Sequence, residues 1–121
     1  MRKIHVKDDT VNIWGLKVEM KPALALADKI LERFDRELVV TSGRDGIHSP
    51  GSYHYYGYAV DIRSREITYD QKYYMCQEMR KRLGEYYDVV AHKTHIHIEY
   101  DYFRYRYAMS VSSSKKQADK G

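Results

Sequence analysis

The chain has 121 residues, 43% hydrophobic and 31% charged, which supports one domain with its own core and excludes global disorder or a second ordinary domain. No apolar run approaches the ~18 residues of a membrane-spanning helix, and the start "MRKIHVKDDTVNIWG" turns polar too soon for a secretory signal. The single cysteine, Cys76, excludes an internal disulfide, and the net charge of +4 favours approach to a polyanion without choosing between nucleic acid and an anionic cell surface.

Lone His5, in "IHVK", reads as a surface residue. Pro22 followed by "ALALADKILERFDREL" predicts a helix: proline suits the first turn, and Ala23, Ala27, Ile30 and Phe34 recur three or four apart, building one apolar face. "ELVVTSG" then switches to a short β-branched run that empties into the loop "GRDGIHSPGS", with three glycines and a proline. "YAVDI" predicts the next strand. In "YDQKYYMCQEMRKRLGEYY", Met75, Met79 and Leu83 are spaced by four and Gly84 stands near the end, predicting a second helix. Cys76 lies beside that stripe and reads as a small buried hydrophobe, not a nucleophile.

"YDVVAH" and "HIHIEY" predict two paired strands joined around Lys93 and Thr94. After Tyr107 the sequence loses periodicity and gains serine and lysine, so a domain over 1–107 and a flexible polar tail over 108–121 are expected. Arg104, Arg106, Lys115 and Lys116 there read as a solvated tail, with a grip on an anionic wall polymer as the alternative. The element order predicts a single α+β domain: a small, mainly antiparallel sheet flanked by helices.

Five of the six histidines fall in two short segments, His48 and His54 in the glycine-rich region and His92, His95 and His97 near the end. Side chains alternate along a strand, so His95, His97 and Glu99 share one face while Ile96, Ile98 and Tyr100 share the other. The isoleucines then face the core and the imidazoles a cleft or solvent. His54 and Asp61 are separated by an odd offset, which a flat strand would place on opposite faces. Gly57 between them supplies the bend that lets both face one point. Two imidazoles and a carboxylate suit zinc with a fourth position open, as in catalytic sites, and the lack of thiolates argues against a closed finger-type site.

"TSGRDG" from Thr41, "SYHYYGYAVDI" from Ser52 and "HIHIEY" from His95 together resemble the D-alanyl-D-alanine carboxypeptidase, lysostaphin and Sonic hedgehog superfamily of zinc peptidases. The nearest group holds phage endolysins and cell-wall carboxypeptidases. Its serine, histidine, glycine, alanine and aspartate occur at the spacing of Ser52, His54, Gly57, Ala59 and Asp61, and a His-x-His motif follows. The resemblance spans roughly residues 22 to 101.

It implies one zinc per chain, held by His54, Asp61 and His97, with His95 beside the metal to stabilise an oxyanion. Arg44 matches the substrate-contacting arginine, with Ser52 beside the substrate and Tyr55 among the tyrosines around the motif that can floor a groove. Many members carry a carboxylate just before the final metal histidine as general base, whereas "AHKTHIH" has none. His92 completes a His-x-x-His-x-His spacing and stands in for it, with Asp88 and Glu99 as alternatives.

The implied activity is hydrolysis of peptide bonds in peptidoglycan stem peptides through zinc-activated water, of the endolysin or carboxypeptidase type. The expected protein is a monomer that does not insert into membranes, is made in the cytoplasm, and reaches the wall after holin-type release or within a virion. The rivals are a catalytically inactive binding or virion module of the same fold and, more remotely, a basic nucleic-acid-binding protein, although no segment resembles a nucleic-acid module.

Overall fold

The computed structural model describes residues 5–13, 15–43 and 57–101. Helix α1 covers Met20–Arg33 and starts two residues before Pro22, so the proline sits in the first turn, where its missing N–H has no intrahelical acceptor to lose. Ala23, Ala27 and Ile30 are buried along one face, as their spacing predicts, together with Met20, Leu24 and Leu31, whereas Phe34 caps the helix just past its end and is only half-buried against the core.

The helix ends at Arg33 and does not run on through Leu38. Asp35 adopts φ 58°, a left-handed conformation that aspartate tolerates better than most side chains. The Arg36 N–H turns back to the Leu31 carbonyl at 2.9 Å. That turn frees Leu38, 1% exposed, to enter the core, and β2 follows over Val39–Ser42.

Strand β3 spans Ala59–Arg63, and α2 spans Tyr69–Leu83. The start of α2 is set by a capping box. The Gln71 N–H donates to Thr68 Oγ1 at 3.1 Å and the Thr68 N–H donates to Gln71 Oε1 at 2.9 Å, which satisfies two otherwise orphaned donors. Gly84 caps the far end at φ 93°. Met75, Cys76 and Met79 are its buried face. Strands β4, Tyr87–Ala91, and β5, His95–Tyr100, form the expected antiparallel hairpin.

A two-residue strand, His5–Val6, was not expected from sequence, since two residues are too few to show alternation. Numbered β1 as the first strand of the chain, it pairs in parallel with β2, and the Lys7 N–H donates to the Val40 carbonyl at 2.9 Å.

The five strands lie in the order β1-β2-β3-β5-β4, antiparallel except for β1 with β2. The protein is therefore a small α+β domain with a mixed, mainly antiparallel sheet and two helices. Helix α2 packs on β4, and α1 on α2 and β5. Val40, Val60, Ile62, Val89, Ile96 and Ile98 meet the apolar faces of both helices in one core. Among the described residues no helix is long and apolar enough to cross a membrane. The boundary expected after residue 107 lies outside the described residues.

Candidate functional site

The site is built on the sheet face opposite the buried isoleucines. In β5 the burial alternates residue by residue: Ile96, Ile98 and Tyr100 are buried, whereas His95, His97 and Glu99 are only partly covered. Register then decides what each polar side chain meets. Asp61 of β3 lies directly across from His97, Arg63 across from His95, and Ala59 across from Glu99. On the other flank, β4 places Asp88 across from Glu99 and Val90 across from His97. Directly opposed residues share a face, so Asp61, Arg63, His95, His97, Glu99 and Asp88 occupy one polar surface.

His97 is the centre of that surface. Its Nδ1 lies 2.9 Å from Asp61 Oδ1 and its Nε2 lies 2.7 Å from Glu99 Oε1. All three side chains are well covered, 19%, 14% and 25% exposed for His97, Asp61 and Glu99. Burial opposes a charged imidazole, but the hydrogen bonds and negative charges of Asp61 and Glu99 outweigh it and hold the His97 pKa up at about 9. In the metal-free chain at neutral pH, His97 is thus an imidazolium donating to a carboxylate on each side.

His95 and His92 form a second unit at the hairpin end. Their rings stack with centroids 4.6 Å apart and planes inclined by 24°, and the His92 N–H donates to the His95 carbonyl at 2.8 Å. Lys72 Nζ of α2 donates to the carbonyls of His92 and Lys93, at 2.9 and 3.1 Å, which ties the helix to the turn. His92 also lines a groove of about 430 Å³ against α2, together with Tyr69, Lys72, Tyr73 and Lys93.

Of the residues expected at the site, Asp61 and His97 are brought into direct contact, and His95 lies on the same strand face two residues away. Arg44, His48, Ser52, His54 and Tyr55 lie outside the described residues. Among the described residues, no group of three histidine, cysteine or acidic side chains is arranged to hold a metal. The expected ligand set includes His54, so it extends beyond them.

Two residues gain neighbours that their sequence reading did not assign. Glu99 was one of three candidate bases, and its carboxylate is engaged by the His97 ring. Arg63 stands beside His95 in register and is ion-paired with Glu66 at 3.6 Å. The signal for both was the two-residue repeat, which puts Glu99 on the face of His97 and Arg63 on the face of Asp61. Cys76 is 2% exposed, and burial raises its thiol pKa, consistent with a packing role. Compared with protein-family models and with curated proteins, the chain matches none.

Proposed function

We propose that this chain is a zinc metallopeptidase that hydrolyses peptide bonds in bacterial peptidoglycan stem peptides. The observation that carries the reading is the Asp61–His97 pair. Two residues 36 positions apart, singled out by their motifs, stand side by side on adjacent strands at 2.9 Å. A partly buried carboxylate and an imidazole nitrogen facing one another are a donor set of the type zinc takes, and the proton they share occupies a place suited to a cation. The residues present fit the metal on that ground. His54, Asp61 and His97 would hold it, and when bound it would supply a Lewis acid able to activate water and polarise a scissile carbonyl.

The chain's own residues take the remaining roles. Asp61 fixes one nitrogen of His97, and the β3–β5 register fixes the ring's position on the sheet. His95, on the same face, would stabilise negative charge developing on the carbonyl oxygen. His92 is the assigned proton acceptor, and its stacking on His95 restricts both rings. Arg44 would pair with a substrate carboxylate, with Ser52 and Tyr55 beside the bound peptide. The proposed setting is the cell wall, reached after holin-type release or from a virion.

A second reading, a non-catalytic zinc-containing binding module of the same fold, is favoured by one observation. Glu99, a carboxylate among the candidate bases, is bonded to His97.

The test measures metal by elemental analysis in wild type and His97→Ala purified without added metal, and follows release of new amines from purified cell wall by the same samples. One zinc per wild-type chain, lost with hydrolysis in the variant, is the expected result. Zinc with tight stem-peptide binding and no new amine selects the binding module, and absence of metal from wild type overturns the zinc reading.

A further inference from the structure

Glu99 has two incompatible roles open to it, base or support, and the geometry around His97 separates them. This inference rests on the zinc reading above. The nitrogens of an imidazole point away from each other, so a single ion can be bound by only one of them. Asp61 lies at Nδ1 and Glu99 at Nε2. If Asp61 and His97 are ligands of the same ion, the nitrogen they offer together is Nδ1. Nε2 then keeps its proton and donates it to Glu99, on the far side of the ring from the shared point.

We infer that Glu99 is a positioning residue for His97, holding the Nε2–H so that Nδ1 is presented towards Asp61 and the metal. Strand geometry favours the arrangement. Positions two apart on β5 share a face, and Glu99 sits between Ala59 and Asp88 across the strands, with its carboxylate only 25% exposed. A carboxylate on the second nitrogen of a ligating histidine selects the tautomer, orients the ring and makes the other nitrogen a better donor. In this role Glu99 is unavailable as general base, which leaves that task to another residue.

The test uses the full chain, with zinc alone as probe. Zinc affinity is read by chelator competition for wild type, Glu99→Ala and Glu99→Gln, and the thermal midpoint of each metal-free variant checks folding. Nitrogen NMR of the histidine-labelled, zinc-loaded wild type reports which His97 nitrogen carries the proton. The expected results are a loss of affinity of about 10- to 100-fold in Glu99→Ala, recovery of most of it in Glu99→Gln, whose amide oxygen still accepts the Nε2–H, and a protonated Nε2 in the loaded wild type. A Glu99→Ala chain that folds and binds zinc within about twofold of wild type overturns the role, as does metal coordination at Nε2. If Glu99→Ala fails to fold, the Gln variant and the nitrogen signal decide. A wild-type chain that takes up no zinc overturns the zinc reading and this inference with it, which distinguishes that failure from one confined to Glu99.

Discussion

His97 shows how a single side chain couples the site to the stability of the domain. Its folded pKa of about 9 stands above the ~6.5 of a histidine in an unfolded chain. The folded state therefore holds the proton more tightly, and the stabilisation is fully present below pH ~6.5 and lost as pH rises through about 9. For the metal-free protein, the denaturant midpoint is expected to fall across that window, and to fall less in Asp61→Asn, which removes one of the two carboxylates. Equal slopes in the two proteins would mean that the Asp61 contact does not set the proton affinity. Tyr87 does not interfere, because burial and then the charge of Glu19 raise its hydroxyl pKa from 10, so its contribution fades only above the window. Burial likewise raises the Cys76 thiol pKa above its ordinary value, and the comparison with Asp61→Asn cancels its contribution.

At the scale of elements, the strands of the site depend on two glycines that meet the segment around residues 12–17. A Cβ on Gly43, just after β2, would run into the Asn12 carbonyl, and one on Gly57, just before β3, would lie 2.5 Å from the Gly15 carbonyl oxygen. Gly57 also adopts φ 80° and accepts a hydrogen bond from the Lys17 N–H at 2.9 Å. Left-handed backbone and the close approach both exclude a side chain, so Gly57→Ala is expected to lower stability by more than about 1 kcal/mol. The strain falls where the chain enters β3, so the same variant is also expected to weaken zinc binding. A melting temperature unchanged from wild type would show that this approach relaxes without cost. The bend that the His54–Asp61 spacing asked of Gly57 thus has a backbone counterpart, although His54 itself lies outside the described residues.

For the whole molecule, the helices cover one face of the sheet and leave the polar face of β3, β5 and β4 to the site. A ligand that binds only the folded chain stabilises it by mass action. Zinc at about 100 times its dissociation constant is expected to add roughly 2.7 kcal/mol, seen as a rise in the melting temperature of wild type. His97→Ala and Asp61→Asn should show little of that rise. A rise of equal size in all three would place the bound metal elsewhere on the chain.

Much of this architecture is local and therefore readable from the sequence. The 3.6-residue repeats of α1 and α2, the alternation of "HIHIEY" and the turn around Lys93 and Thr94 each depend on neighbours a few residues apart. The partition of isoleucines to the core and histidines to the opposite face follows from the two-residue period alone. Periodicity determines which face a side chain takes but not what stands across from it. The pairing of His97 with Asp61 required the β3–β5 register, which joins segments 36 residues apart. Which carboxylate met which nitrogen of His97 was likewise left to the tertiary structure: Asp61 reaches Nδ1 from across the strands and Glu99 reaches Nε2 from two residues along β5, and both are plausible partners by type. The early end of α1 and the β1–β2 pairing also belonged to the tertiary structure. Burial of Leu38 and backbone bonding to a distant strand outweighed a continuing helical pattern and a strand too short to announce itself.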